Sequence, residues 1–244
     1  MKKIILAIVM ISFFLVPALL AQGKTLTGPD PDSGKIWVWG GVNYKMSNQW
    51  FRDDLSVQIW LQYRGEPLNG AIVRIGDTIL PDRGRGRYFK MLIDVKYRVG
   101  DRLDLSLEFP EASSRLGSAP PFTGRRKMAS YAIENTIQWL LPAASQVIDL
   151  PAYARTGIPF RWNYTGTPVT GVLSIEEGMT RVYTKSVTGE ELIVPVGALQ
   201  PGKAYASSLK DEKHYFRVND LFSPRSEIEF IVSCVSLFST APAK

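Results

Sequence analysis

The side chains that most often carry covalent or acid–base chemistry are scarce in this sequence. Its 244 residues include one histidine, His214, and one cysteine, Cys234. A histidine-based relay, a multi-histidine metal centre or a cysteine-rich zinc module needs more of them. The carboxylate pairs Asp53-Asp54 and Glu176-Glu177 fall in strand-like segments, where neighbouring side chains point to opposite faces and cannot flank one scissile bond. We therefore predict that the protein is not an enzyme and binds no metal or cofactor.

Tryptophan is the residue type that most suggests binding. Trp37 and Trp39 share one face of a short segment in which Ile36 and Val38 take the other, and Trp60 projects from the polar face of its strand. Exposed indoles form stacking platforms for glycans or contacts with proteins, where tryptophan is enriched at energetic hot spots. The alternative is that a second domain or the loop at 111–127 covers them.

The last apolar segment, 227–238, also lacks a polar face. Phe230, Val232 and Cys234 alternate with a second apolar set, which consists of Ile231, Val235 and Leu237. Such a strand must be covered within the chain or paired with a partner by strand addition. We predict that Ile231, Val235 and Leu237 contact a partner. Cys234 is predicted to be a buried, unreactive side chain.

Basic residues cluster at Arg83, Arg85 and Arg87, where glycines separate them. This cluster is a candidate contact for an anionic partner, and the alternative is a solvated hairpin loop whose glycines serve the turn. The whole chain has 29 basic and 23 acidic residues, a formal charge of +6. That excess is too small and too dispersed for nucleic-acid binding, which we exclude.

The N-terminus predicts export. Lys2 and Lys3 precede an apolar run at 4–16, and small residues follow, so residues 1–23 are typical of a secretory signal peptide cleaved after Ala21 or Gly23. An uncleaved anchor is the alternative, and no later segment is long enough to span a membrane. Residues 24–35 are predicted to be a flexible leader, and their Asp30-to-Gly34 motif lacks the later ligands of a calcium loop. We expect the mature protein in the periplasm or on the surface of a bacterium.

The rest of the sequence must position these residues on strands. Apolar residues alternate at period two in short runs such as 55–63 and 103–109, which is typical of antiparallel sheets with one solvated face. Residues 128–141 fit a helix or a strand, and their β-branched and aromatic content favours a strand. The alternation of apolar and polar residues is interrupted at 142–146, which divides the sequence into two parts. We predict an all-β fold of two tandem antiparallel β-sandwiches at 36–142 and 147–240.

One motif resembles a known family. Leu199-Gln200-Pro201-Gly202-Lys203-Ala204-Tyr205 resembles the corner before strand F of fibronectin type III domains. The resemblance implies a tyrosine hydroxyl that bonds back to the backbone, with Trp162 on strand B and residues 190–196 as strand E. The final strand is longer and more apolar than the family's usual one. The N-terminal half resembles bacterial immunoglobulin-like repeats more loosely, through Pro67–Ala71, Gly86–Tyr88 and Val99–Asp101.

Together these features predict an exported, non-catalytic envelope or surface protein. It would bind another protein through its sandwich faces or strand edges. The alternative is a carbohydrate-binding module that uses Trp37, Trp39 and Trp60.

Overall fold

The structure is a computed structural model that describes residues 34–47, 52–110 and 122–243. The predicted signal peptide and nearly all of the predicted leader lie outside these residues. Within the described ranges, no helix is long and apolar enough to cross a membrane.

Short strands make up most of the described chain, and the predicted all-β class is confirmed. In the N-terminal half they are β1 (Ile36–Ser47), β2 (Asp54–Tyr63), β3 (Glu66–Pro67), β4 (Ile72–Ile75), β5 (Thr78–Leu80), β6 (Arg87–Ile93), β7 (Arg102–Phe109) and β8 (Gly124–Ala132). In the C-terminal half they are β9 (Asn135–Leu141), β10 (Val147–Ile148), β11 (Ile158–Gly166), β12 (Thr170–Glu177), β13 (Thr180–Thr188), β14 (Glu191–Val194), β15 (Ala204–Asp211), β16 (His214–Val218) and β17 (Glu227–Thr240). The ambiguous segment 128–141 forms strand, as predicted, and it is split between β8 and β9.

Three groups of strands form the sandwiches, and two of them are joined into one sheet by β16, because β16 pairs with both β17 and β8. A long front sheet runs in the order β13-β12-β15-β17-β1-β2-β6, and all neighbours in it are antiparallel except β17 and β1. Behind it lie two shorter sheets side by side. One contains β16, β8, β7, β4 and β5, and the other contains β14, β11 and β9. The front sheet therefore continues through both halves of the chain.

Strand β17 joins the two halves. Residues 227–235 pair with β1, whereas residues 233–239 pair with β15. On its inner face, the ring centroid of Phe230 lies 4.1 Å from that of Tyr131 on β8, and Phe238 lies 5.6 Å from Phe160 on β11. One strand therefore packs against both back sheets, which explains why it is long and apolar.

The strand pairing does not follow the predicted ranges 36–142 and 147–240. Strand β9 lies in the first range but pairs with β11. Strand β16 and the first part of β17 lie in the second range but pair with β8 and β1. The connection between β15 and the end of β17 thus reaches into the N-terminal sandwich. Side-chain alternation reports which face a residue takes and carries no information on which distant strand will pair with it.

The tyrosine corner implied by the family resemblance is present. Strand β11 pairs with β9 and β14, while β15 pairs with β12 and β17, which is the A-B-E and C-F-G grouping of an immunoglobulin-like sandwich. The Tyr205 hydroxyl accepts a hydrogen bond from the backbone N–H of Gln200 at 2.7 Å and donates to the carbonyl of Gln200 at 3.4 Å. This contact fixes the crossover that precedes β15.

Tyr205→Phe is expected to lower the free energy of unfolding by about 1–3 kcal/mol, because the substitution leaves the part-buried backbone N–H of Gln200 without its partner, whereas the carbonyl of Gln200 keeps its hydrogen bond from the Thr240 hydroxyl. Urea unfolding of the purified protein measures this change. Tyr215→Phe is the matched control, since Tyr215 is exposed on β16 and its change should be near zero. Equal stability of both variants would contradict a structural role for the corner.

Candidate functional site: an aromatic face on the front sheet

The three predicted tryptophans meet on the outer face of the front sheet. Strands β1 and β2 are antiparallel with Trp39 directly opposite Trp60, so the two side chains leave the sheet on the same side. Trp37 lies two residues before Trp39 and shares that side. Ile36 and Val38 alternate with them and are fully buried in the core. The predicted division of this strand between two faces is therefore what the structure shows.

The indoles form one continuous surface, which we call the aromatic face (Trp37, Trp39 and Trp60). The ring centroids of Trp37 and Trp39 are 4.5 Å apart, and those of Trp39 and Trp60 are 6.2 Å apart with planes only 5° from parallel. The indole N–H of Trp37 donates to the carbonyl of Arg225 at 3.1 Å. All three rings are half-buried, so each keeps part of its surface open to solvent.

Polar groups border the aromatic face on the side of β6. Arg87 lies opposite Trp60 in the strand pairing, and its guanidinium carbon is 5.9 Å from the ring centroids of both Trp60 and Phe89. With its amide oxygen turned toward Arg87, Gln58 accepts hydrogen bonds from Nε at 3.0 Å and Nη2 at 3.2 Å. A cation and an amide are thus held in place beside the rings.

The arginine cluster is divided by the structure. Arg87 belongs to β6 and faces Trp60, whereas Arg83 and Arg85 lie exposed in the preceding hairpin loop. The glycines serve that turn: Gly84 and Gly86 have φ angles of 80° and 70°. The backbone N–H of Gly86 also donates a hydrogen bond to Oδ1 of Asn69 at 2.6 Å. Only one of the three arginines therefore joins the aromatic face.

The predicted contact residues on β17 have a different setting. Ile231, Val235 and Leu237 are half-buried on the outer face. Strand β1 occupies one backbone edge of β17 along 227–235, and β16 and β15 occupy the other. Of the two alternatives for 227–238, strand addition is excluded, because both edges of this strand are already paired within the chain. A contact through the side chains of Ile231, Val235 and Leu237 stays a prediction.

Burial controls the ionisation of the thiol and of a lysine near the middle of the front sheet. Cys234 is buried in the core, and this burial raises the pKa of its thiol to about 12, so the unreactive state predicted for it agrees with the structure. Lys45 is buried beside Asp54, and burial lowers the pKa of Lys45 although the carboxylate opposes the shift. Desolvation therefore outweighs the electrostatic attraction of the Asp54 carboxylate at this position.

The carboxylate pairs are occupied by structural contacts. Asp53 accepts a hydrogen bond from the backbone N–H of Ser47 at 3.0 Å. Glu176 and Glu177 form separate ion pairs with Arg181 at 3.8 Å and Lys203 at 2.8 Å. Each carboxylate of the second pair is thus directed to a different cation, as alternation along a strand requires.

The charged residues before His214 predict a solvated loop residue, and in the structure His214 begins β16 with its side chain 30% exposed. Its Nδ1 lies 3.8 Å from a carboxylate oxygen of Glu134, and its Nε2 lies 3.7 Å from one of Asp211. Asp211 in turn accepts hydrogen bonds from Asn135 and from the backbone N–H of Thr170. Within the described ranges, no group of three histidine, cysteine or acidic side chains could hold a metal ion.

One part of the outer face was not predicted from the sequence. Phe89, Met91 and Ile93 on β6 continue the surface beyond Gln58, because they lie opposite Gln58, Ser56 and Asp54 of β2. Met91 is 41% exposed and Ile93 is 68% exposed. Their alternation with Lys90 and Leu92 in the sequence could have indicated that the three residues share one face of a strand. It did not reveal that β6 forms the lateral edge of a sheet.

Comparisons with known proteins identify no family. No protein-family model matches the chain, and no curated protein matches it. Among solved structures, the chain is similar to fibronectin(III)-like modules of CbhA from Clostridium thermocellum, with 11% identity and a TM-score of 0.24 over 82% of this chain and 94% of that one. Because this TM-score is low, the assignment of an immunoglobulin-like arrangement rests on the strand pairing described above.

Proposed function

We propose that the protein is an exported, non-catalytic component of a bacterial envelope or surface that binds another protein through the aromatic face. The observation that carries the proposal is the contiguous contact of Trp37, Trp39 and Trp60 on the outer side of the front sheet. The signal-like residues 1–23 support export. N-terminal sequencing of the mature protein tests this part, and a start after Ala21 or Gly23 is the expected result.

The energetics of the aromatic face suit protein binding. Tryptophan and arginine are the residue types most enriched among binding hot spots, and Arg87 borders Trp60. Side chains that are already held in place lose little conformational entropy when a partner binds. Trp37 is held by its hydrogen bond to Arg225, and Arg87 by Gln58. The surface is therefore preorganised for contact.

A glycan is the second candidate ligand for the same surface. It is favoured by the nearly parallel rings of Trp39 and Trp60, which are flanked by Gln58 and Gln62 on the outer face of β2. Parallel rings present flat apolar surface to sugar C–H groups, and side-chain amides satisfy hydroxyls. Soluble peptidoglycan fragments and cello-oligosaccharides separate the two candidates. A change in tryptophan emission on adding either one favours the glycan, whereas unchanged, acrylamide-protected emission excludes it.

Trp60→Ala is expected to weaken partner binding at least about tenfold, because truncating a central tryptophan hot spot costs more than about 2 kcal/mol. The measurement is chemical crosslinking in intact envelopes, followed by the affinity of the identified protein for purified wild type and variant.

Tyr215→Ala is the matched control for that measurement, since it removes an exposed aromatic ring from β16. Its affinity should equal that of the wild type. A Trp60→Ala variant that binds as tightly as Tyr215→Ala would overturn the proposal, as would a wild-type protein that crosslinks to nothing.

A further inference from the structure

The front sheet has two lateral edges, and they differ in chemistry. Strand β13 forms one edge and carries exposed Arg181, Thr184, Lys185 and Ser186. Charged and polar residues, lysine above all, protect an edge strand from pairing with another chain. Strand β6 forms the other edge, and its sequence Arg87-Tyr88-Phe89-Lys90-Met91-Leu92-Ile93 is mostly apolar. The end of β6 from Met91 to Ile93, which follows Lys90 and carries no charge, therefore lacks this protection.

The backbone of β6 has open positions along this edge. The N–H of Arg87 donates to the carbonyl of Gly84 at 3.0 Å, and the N–H of Phe89 donates to that of Pro81 at 3.3 Å, both on the side away from β2. Because backbone direction alternates along a strand, Met91 and Ile93 point their N–H and C=O groups to the same side. Within the described part of the chain, one bridge joins Tyr88 of β6 to Asp82 on that side, and Met91 and Ile93 make no backbone hydrogen bond there.

The side chains at these positions are also open. Ile93 is the most exposed large apolar residue of the described chain, Met91 is also exposed, and the two extend the outer face from Phe89. A strand added beside β6 would cover both side chains and satisfy their backbone groups in one step. Unpaired backbone and exposed apolar side chains therefore coincide at the same two residues.

The surrounding charge indicates what kind of strand fits. Residues 82–98 contain six basic and two acidic residues, a net charge of +4. The acidic residues are engaged: Asp94 lies 3.3 Å from Arg52, and Asp82 accepts backbone hydrogen bonds in the adjacent loop. An acidic segment would be attracted to this edge, whereas a second copy of the same edge would be repelled.

We propose that the edge of β6 from Phe89 to Ile93 receives an extended, acidic segment of a partner protein by strand addition. The added strand extends the front sheet beyond β6, with alternate apolar side chains on Met91 and Ile93 and carboxylates toward the neighbouring arginines and lysines. This inference rests on the proposed function, since it assigns a second contact to the same partner class.

The test uses the purified mature chain and a synthetic nonapeptide of alternating valine and glutamate. A peptide with lysine in place of glutamate is the charge control. We expect the acidic peptide to bind with an affinity that falls as salt rises, and to slow hydrogen exchange at the amides of Met91 and Ile93. The lysine peptide should not bind. Absence of binding by the acidic peptide, or equal binding of both peptides, would contradict the proposal.

Met91→Pro is the decisive variant, with an expected loss of affinity of at least about tenfold. Proline is tolerated where an edge-strand N–H points away from the sheet, and it removes the donor that the added strand needs. Met91→Leu keeps the N–H and the apolar side chain and should bind like the wild type. Arg83→Glu/Arg85→Glu should weaken binding and reduce its salt dependence. If a folded Met91→Pro variant binds the peptide with the same affinity as Met91→Leu, strand addition at β6 is wrong.

The outcomes for β6 and for the aromatic face are distinguishable. If Trp60→Ala abolishes partner binding while Met91→Pro has no effect, the proposed function stands and strand addition is wrong. If the peptide protects β6 but Trp60→Ala leaves partner binding unchanged, the aromatic face is wrong as the binding surface. If the protein forms a concentration-dependent dimer and Met91→Pro abolishes it, a second copy of the chain occupies the edge of β6. That result would contradict the proposal that an acidic segment of a partner protein binds there.

Discussion

Gly40→Ala is expected to lower the free energy of unfolding by about 3 kcal/mol or more, although it adds a single methyl group. Gly40 lies in the middle of β1 with a φ of +143°, a conformation that other residues rarely adopt. A Cβ at this position would lie 2.1 Å from the carbonyl oxygen of Gln58 on β2. That contact is with backbone, so it cannot be relieved by a side-chain rotation. The strands would have to separate beneath the aromatic face.

The neighbouring Gly41 provides the control. A Cβ there would lie 3.7 Å from the nearest atom, the carbonyl oxygen of Glu229, which is an ordinary contact distance. Gly41→Ala should therefore change stability by less than about 1 kcal/mol. Urea unfolding of both variants, followed by circular dichroism, makes the comparison. If both variants unfold at the same urea concentration, the prediction that a Cβ at Gly40 forces β1 and β2 apart is wrong.

Val232→Asp is expected to unfold both halves of the protein together. Val232 is 1% exposed and lies in β17, between the residues that contact the two back sheets. An unpaired carboxylate buried in an apolar core costs several kcal/mol, which is a large part of the stability of an ordinary domain. Because one strand serves both cores, damage to it cannot be confined to one of them.

Hydrogen exchange measured by mass spectrometry tests this expectation. Peptides that contain β7 report on the first back sheet, and peptides that contain β11 report on the second. Both should lose protection in Val232→Asp. Val172→Asp makes the same substitution at a position on β12 that is 41% exposed, and it should keep protection in both. If only one of the two peptide sets loses protection from hydrogen exchange in Val232→Asp, the prediction that β17 couples the unfolding of the two halves is wrong.

Much of the local structure could be predicted from the sequence. Alternation at period two places Trp37 and Trp39 opposite Ile36 and Val38, because successive strand residues always take opposite faces. The tyrosine corner was also predictable, since it is a local motif in which Tyr205 bonds only five residues back along the chain. Such features depend on residues close in sequence, whose relative positions are fixed by backbone geometry.

The pairing of distant strands could not be predicted in the same way. Strand β17 lies parallel to β1 with Trp39 opposite Glu227, and alternation along each strand would look identical with any other partner. For this reason the sequence did not reveal that β9, β16 and β17 pair across the predicted boundary between the two ranges. An apolar strand without a polar face signals that it is covered on both sides, and it does not identify which part of the chain covers it.

The candidate site was predictable in its residues but not in its assembly. Trp60 was singled out because it interrupts a polar face, yet its stacking on Trp39 depends on the register of β1 and β2. Arg87 was grouped with Arg83 and Arg85 by sequence proximity. The structure assigns it to the aromatic face because β6 begins at Arg87. The exposure of Met91 and Ile93 depends on the sheet ending at β6.

The position of β17 in the chain determines when each core can close. It follows every other described strand in sequence, yet its Phe230 and Phe238 pack against the two back sheets. During synthesis at about 5–20 residues per second, neither sandwich can be completed until residues 227–240 have left the ribosome. For a chain that we propose is exported, this delay keeps the nascent protein incompletely folded, and therefore able to pass through a translocation channel, until β17 has been made.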